Sequence, residues 1–518
     1  MATEKGKEQS SNSHPWKYDV FLSCTSDNTF VYHLYSTLCQ VGINTFRACD
    51  DDQLSDEGTR AVEAIVLESP VLKDVPLNTK TFEKMAKLRV LQINHVQLYG
   101  SFQYLPESLK CLRWYYCPLK CLPSDFCLEN LVILDMSYSK FNECQAPLKQ
   151  PERSLSQGGY LPSSFSSLSA LKVLQIENCN LSEDDIPFSL ASLSSLQSLC
   201  FRKNKFHAIP FNLSDLSSLK YLNLSECPNL KTIPEVPLTL QKLIAYKCKL
   251  LERLPNLSDL KRLEELVLDR CEMLAEIQGL ENLDSVRRVY LWSCKTFGRT
   301  LDVSNLSQLK NLDLSQCERL IEIRGLENNH SIRYINLFNC KALENPFTED
   351  FFKAHYEHGR ELQLGLCSSK VPDWFSYQVD GRSICFNMPL QVESTFLGMF
   401  LWIVYGTVDE TKNVYPKATI IDLTNGVEFN HRLWTTISFA ENSSIHYIPP
   451  DYFKCPVKGR ERMSIHIECY DFPTEDFVKK CGVHLLYKDK NGQVHSVSVS
   501  SPCFDSENEV TINHSRRE

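Results

Sequence analysis

The chain has 518 residues, 43% of them hydrophobic and 23% charged, which is an ordinary globular composition with room for two to four domains. Its net charge of -9 speaks against nucleic acid as a partner, because neutralising phosphates takes a basic face. The longest apolar run, Phe396–Tyr405, is about half a membrane span and reads as a buried strand, so no membrane partner is expected.

Residues 1–17 are polar, lack the apolar stretch of a secretory signal and read as a disordered N-terminus, which predicts a cytoplasmic or nuclear location. In "YDVFLSCTSDNT" the alternation of Tyr18, Val20 and Leu22 predicts a strand running into a polar turn, the usual opening of an α/β domain. A helix over "HLYSTLCQVGI" and a second strand at "NTF" come after it. The acidic run Asp50–Asp52 is next and reads as a solvated loop rather than a cation site. This fragment, residues 18–57, has too few strands to bury a core of its own. Residues 58–81 read as a linker into a long repeat array.

From 82 to 345 one phrase recurs about eleven times, Leu-x-x-Leu-x-Leu-x-x-Cys/Asn, with copies starting at Leu88, Leu109, Leu131, Leu171, Leu196, Leu219, Leu240, Leu263, Val286, Leu309 and Ile332. Its closing position falls at Cys227, Cys248, Cys271, Cys294, Cys317 and Cys340, at steps of 21, 23, 23, 23 and 23. This is the leucine-rich-repeat pattern. Each unit supplies a short parallel strand whose leucines point inward. The closing residue sits inside the coil, where a small hydrogen-bond donor fits. These six cysteines, with Cys117 and Cys179, are therefore expected to be reduced ladder residues about one strand spacing apart, not metal ligands converging on a point. The phrase also generates the Asn-Leu-Ser sequons at Asn212, Asn223 and Asn305. Residues 142–160 break the pattern and read as a loop.

The concave sheet of such a solenoid exposes the side chains that alternate with the leucines. In this register they include Gln175, Glu177, Arg202, Asn223, Asp269, Tyr290, Trp292, Asp313, Asn336 and Phe338. The three aromatics suit protein contact. An equal alternative is that they cover a neighbouring repeat or the next domain.

Residues 346–365 predict a capping helix over the last coil. Residues 366–505 then show β-rich runs separated by turn signals such as Asn425-Gly426 and Asn491-Gly492, the pattern of an antiparallel sandwich. His484 and Trp434 read as satisfied core groups there, and residues 506–518 as a disordered tail. There is no phosphate-cradling G-x-x-x-x-G-K-[ST], no H-E-x-x-H, no spaced CxxC pairs and no G-x-S-x-G. No catalytic residue, cofactor or metal is predicted. The expected fold is an α/β leucine-rich-repeat solenoid carrying a truncated α/β fragment in front and a β-sandwich behind.

Three blocks resemble plant intracellular immune receptors of the TIR–nucleotide-binding–leucine-rich-repeat class. Residues 18–54 resemble the opening of a TIR domain, except that Cys24–Phe30 stand where the family has Phe-Arg-Gly-Glu-Asp-Thr-Arg, a loop that aids self-association and shapes the nucleotide pocket. Residues 57–93 resemble the join to the first repeats. "SSKVPDWFSYQVDGRSICFNMP" and "KKCGVHLLYKDK" resemble the jelly-roll or Ig-like domain behind the repeats, with Pro372, Trp374, Phe375, Cys481, Gly482 and His484 on its recurrent positions. The resemblance implies defence signalling through recognition of a pathogen effector or another immune receptor. The family's alternative activity is NAD+ hydrolysis by the TIR domain. The segments that carry its catalytic glutamate and the nucleotide-binding P-loop have no counterpart in this sequence, so no residue inherits those roles.

Overall fold

The computed structural model describes residues 20–23, 45–48, 63–67, 76–95, 97–119, 125–126, 128–139, 165, 167–356, 362–390, 394–406, 416–433, 442–453, 459–469 and 477–497. The disorder expected at 1–17 and 506–518, the acidic run Asp50–Asp52, the loop 142–160 and Trp434 lie outside them. The chain divides into two compact units, Met1–Leu250 and Leu251–Glu518.

In the first unit, strands Ala64–Leu67, Val90–Asn94, Cys111–Tyr115, Ile133–Asp135, Val173–Gln175, Ser198–Cys200, Tyr221–Asn223 and Lys242–Ile244 pair in that order, all in parallel. Val20–Ser23 and Thr45–Ala48 form a separate parallel pair. The expected linker 58–81 is corrected in part. Ala64–Leu67 is the first strand of the ladder, and Pro76–Asn78 pairs with Gln97–Tyr99 in a second, two-stranded sheet. Ala64 and Val66 are buried, so this stretch already supplies apolar side chains to the coil.

Each repeat is built the same way. In the copy starting at Leu219, Leu219, Leu222 and Leu224 are fully buried. Each such side chain is worth about 1.5–3 kcal/mol. The residue just before the closing position turns left-handed in repeat after repeat: His95, Tyr116, Tyr138, Asn178, Lys203, Glu226, Lys247, Arg270, Ser293, Gln316 and Asn339 all have φ between 52° and 66°. That conformation costs roughly 1–2 kcal/mol per residue. Backbone hydrogen bonds into the next coil offset it, such as Lys203 N–H to Ser225 O at 2.9 Å and Ser293 N–H to Ser315 O at 2.7 Å.

The closing residue then points inward and donates to a carbonyl of the preceding repeat. The thiols of Cys227, Cys248, Cys294, Cys317 and Cys340 reach Phe201 O, Leu224 O, Leu268 O, Leu291 O and Leu314 O at 3.3, 3.1, 3.2, 3.2 and 3.0 Å. Asn204 fills the same place, donating to Ile176 O and accepting from the N–H groups of Cys179 and Leu181. Burial pushes the thiols of Cys179, Cys248, Cys294 and Cys340 up to about 12. A disulfide-exchange reagent at pH 8 is therefore expected to modify none of the ladder cysteines in the folded protein and all of them in denaturant. Mass mapping of the labelled sites checks this, with the half-exposed Cys367 and Cys385 as positive controls.

In the second unit, Glu265–Val267, Arg288–Tyr290, Asn311–Asp313, Tyr334–Leu337 and Gln363–Cys367 form a parallel ladder. The last of these strands corrects the boundary expected at 365/366. Gln363–Cys367 pairs in parallel with the final repeat on one edge and antiparallel with Asn442–Ile448 on the other. Leu364 and Leu366 turn into the apolar interior, and Gly365 leaves room for the Phe338 ring, which would lie 2.9 Å from a Cβ there. The end of this ladder is therefore closed by a strand as well as by a helix.

The sheet continues through Asn442–Ile448 to Thr395–Tyr405 and Val478–Lys488, with Tyr377–Asp380 and Val494–Ser496 on the far edge. A second antiparallel sheet joins Ser383–Asn387, Arg462–Cys469, Pro416–Asp422 and Val427–Arg432 in that order. Leu401, Ile403, Tyr405, Ile420, Ile465 and Leu485 belong to the buried core shared by the two sheets.

The helix Glu349–His355 starts where the Thr348 hydroxyl accepts the Phe351 N–H at 3.2 Å, and carries Glu349 and Asp350 in its first turn. Phe352 is fully buried, its ring 4.6 Å from Phe400 and 5.4 Å from Trp374. The ring nitrogens of His355 lie 2.7 and 2.8 Å from the carbonyl oxygens of Phe351 and Asn329, tying the last helical turn to the last repeat.

Candidate functional site

The open face of each parallel ladder is lined by the residues that alternate with the leucines. In the first unit, Gln175, Glu177, Arg202 and Asn223 are half-buried on it. They are bound into the chain's own network rather than offered free. Arg202 donates to Glu177 Oε1 at 2.6 Å and also pairs with Glu226, while Lys203 Nζ stands 3.7 Å from Glu177. Tyr138 O–H donates to the same Glu177 oxygen at 3.2 Å. Asn223 Oδ1 accepts the Ser225 N–H at 3.0 Å, and its amide donates to Tyr221. The two glutamates holding Arg202 raise its affinity for its proton despite partial desolvation.

The left-handed position adds a row that the alternation rule did not single out. The rings of His95 and Tyr116 stack at 4.0 Å, and those of Tyr116 and Tyr138 at 5.2 Å. Its sequence signal was present: it is the residue immediately before the closing position, Val96, Cys117 and Ser139 for these three.

In the second unit the open face carries Asp269, Tyr290, Trp292, Asp313 and Asn336, all half-buried. The register sets Val267, Tyr290, Asp313, Asn336 and Gly365 side by side in one row, and Glu265, Arg288, Asn311, Tyr334 and Gln363 in the next. Arg288 clamps Glu265 with contacts of 3.1 Å from both Nε and a terminal nitrogen. Asp313 accepts from Ser315 N–H at 3.0 Å, Ser315 O–H at 2.6 Å and Asn336 Nδ2 at 3.0 Å. Burial pushes its carboxyl upward, and these bonds pull it back. Asp269 accepts the Trp292 backbone N–H at 2.8 Å. Burial pushes Asp269 up to about 7; the Trp292 bond and nearby Arg270 oppose the shift, and Asp313 adds to it. The Arg270 guanidinium lies over the Trp292 ring, 4.3 Å from its centre.

Phe338 follows the second of the two readings, covering a neighbour instead of facing outward. Its side chain is buried, 4% exposed, against Gly365 on the adjoining strand. Of the three aromatics, Phe338 covers the neighbouring strand, and Tyr290 and Trp292 remain partly open.

The C-terminal motif residues assemble a packing seam. Gly482 sits where a Cβ would come within 2.7 Å of Val371 and 3.0 Å of Tyr377 O, so only glycine lets that segment lie against the strand. Pro372 O accepts from Phe375 N–H at 3.0 Å and from Gln378 Nε2 at 2.8 Å. Cys481 lies in the shared core. His484 is fully buried between the rings of Trp374, 5.1 Å away, and Phe375, 5.3 Å away. Burial holds its imidazole well below the ordinary range, with Glu349 and a Trp374 backbone hydrogen bond opposing and Lys353 assisting. Among the described residues no cluster of three or more His, Cys, Asp or Glu is placed to hold a metal ion, and no helix is long and apolar enough to cross a membrane.

Comparison with known proteins gives two family matches, a leucine-rich repeat region over residues 154–379 and a C-JID domain over 366–492. Disease resistance protein RML1A of Arabidopsis thaliana is 25% identical over 301 residues, 54% of this chain and 26% of that protein. Disease resistance protein RPP4 of the same plant is 32% identical over 169 residues, 31% of this chain and 15% of that protein. RPS4B is 28% identical over 258 residues, 45% and 22% respectively. The chain thus spans about a quarter or less of the length of these relatives. Among solved structures, a Leptospira interrogans leucine-rich-repeat protein aligns at 16% identity and TM-score 0.39, over 61% of this chain and 87% of that one.

Proposed function

Because this chain belongs with the plant disease resistance proteins of the TIR–nucleotide-binding–leucine-rich-repeat class, we propose that it serves defence by recognising a protein, either a pathogen effector or another immune receptor, without catalysis of its own. Recognition falls to the open face of the repeats together with the C-JID domain, in the cytoplasm or nucleus. One observation carries this reading: Tyr290 and Trp292 stand half-exposed on the open face of the second unit, beside the Arg288–Glu265 pair. Aromatic side chains of this kind dominate protein-interface energetics, each costing about 2 kcal/mol or more when truncated at an interface centre.

The test is co-expression in leaf tissue with a panel of pathogen effectors, scoring the defence response. Replacing Tyr290 and Trp292 together by alanine is expected to abolish a response that the unaltered chain supports, at equal protein level. A response that survives the double substitution overturns the reading.

A further inference from the structure

We propose that the open face between Glu265 and Asn336 takes a positively charged segment of its protein partner, with an Arg or Lys side chain seated beside Asp269 against Tyr290 and Trp292. This rests on the reading of that face as the recognition surface, and adds the chemistry of what binds there.

The charges already on the face favour a cationic guest. Glu265 is taken up by Arg288. Asp313 is satisfied by Ser315 and Asn336. Asp269 is different. One of its oxygens accepts the Trp292 backbone N–H, and no other hydrogen bond or ion pair reaches its carboxylate among the described residues. The one cation close by among those residues, Arg270, lays its guanidinium over the Trp292 ring instead of donating to Asp269. This placement also shows that the indole accepts a planar cation on its face. A carboxylate with an open oxygen, with Trp292 at the matching position of the next repeat and Tyr290 two residues before it, is chemistry that suits guanidinium or ammonium groups. Burial raises the Asp269 carboxyl to about 7, and the Trp292 N–H and the Arg270 charge only partly offset it, so the site gains from a further cation.

The full chain is titrated with a fluorescent hexa-arginine peptide and with hexa-glutamate, following anisotropy at physiological salt. Hexa-arginine is expected to bind saturably and hexa-glutamate not at all. Asp269→Asn, which keeps the acceptor for Trp292 and is expected to raise the urea midpoint by removing a buried charge, weakens binding about tenfold or more. Asp302→Asn, at an exposed acid on a different sheet, leaves it within about twofold and controls for the overall negative charge. Affinity rises with pH from about 6 to about 8 and levels off above that, as Asp269, held near 7 by burial, loses its proton. Equal weakening by both substitutions, or no saturable binding, overturns the proposal. If Asp269→Asn has no effect on the peptide while the Tyr290 and Trp292 double substitution still silences the leaf response, the basic guest is wrong and the recognition face stands. If neither substitution has an effect, both readings fall.

Discussion

Phe352→Ala is expected to lower the unfolding free energy of the second unit by about 3–5 kcal/mol, the usual cost of emptying a fully buried phenylalanine site. Phe352 is 0% exposed and its ring meets those of Phe351, Trp374, Phe375 and Phe400 at 5.4, 5.4, 6.4 and 4.6 Å. Deleting it leaves a cavity between the helix Glu349–His355 and the sheet that carries His484. The surrounding rings are held by the close approach at Gly482 and cannot collapse into the gap without breaking that seam. Urea denaturation followed by tryptophan fluorescence checks the value. Lys353→Ala on the same helix is the control: its ion pair with Glu349 is partly exposed, and its loss is expected to cost about 1 kcal/mol or less. A Phe352→Ala midpoint equal to that of the control shows that the helix does not brace the sheet.

The second large effect is loss of stability in acid. His446 is fully buried, and burial with His431 nearby pushes it down to about 3. Burial pushes His484 down to about 4, with Glu349 opposing and Lys353 assisting. Both histidines are therefore neutral in the folded protein and take up a proton on unfolding near pH 6.5. Their stabilising contribution is complete above that value and is lost as pH falls toward the folded values. By pH 4.5 each has withdrawn about 2–3 kcal/mol. Asp269 works in the opposite sense, since its folded carboxyl lies above its unfolded value and protonation in acid relieves its burial. Asp135 and Asp313, also raised by burial, act in the same sense as Asp269, so the histidine share is read from the variant rather than from the total. Between pH 7 and 4.5 the urea midpoint of His446→Gln is expected to fall less than that of the unaltered chain. Glutamine cannot titrate and keeps a donor for Ser444, whose hydroxyl lies 2.8 Å from His446 Nε2. An unchanged slope in the variant removes His446 as a cause.

How much of this was legible in the sequence depends on how locally each feature is specified. The repeats were legible because every coil places its first, fourth and sixth residues in the same environment, so Leu219, Leu222 and Leu224 announce their burial by spacing alone. The cysteine ladder was legible for the same reason: the thiols of Cys227, Cys248, Cys294, Cys317 and Cys340 donate to the preceding repeat, a contact fixed by the repeat length. The left-handed row at His95, Tyr116 and Tyr138 was written at a constant offset too, but alternation along a strand does not extend past the strand's end.

The sequence by itself determined the parallel ladders, the inward leucines, the ladder cysteines and the candidate open face, because a translational repeat turns spacing into environment. The tertiary structure decided what that face has to offer. Phe338 is buried because the strand beside it carries Gly365, and Glu177 and Arg202 are paired because adjacent repeats set opposite charges next to each other. It also decided that Gln363–Cys367 pairs with Asn442–Ile448, about eighty residues further along the chain, and that His484 packs between the rings of Trp374 and Phe375. These outcomes depend on which side chain a neighbouring or distant strand brings alongside. A one-dimensional period carries no information about that, because the free energy of each contact is set jointly by both partners.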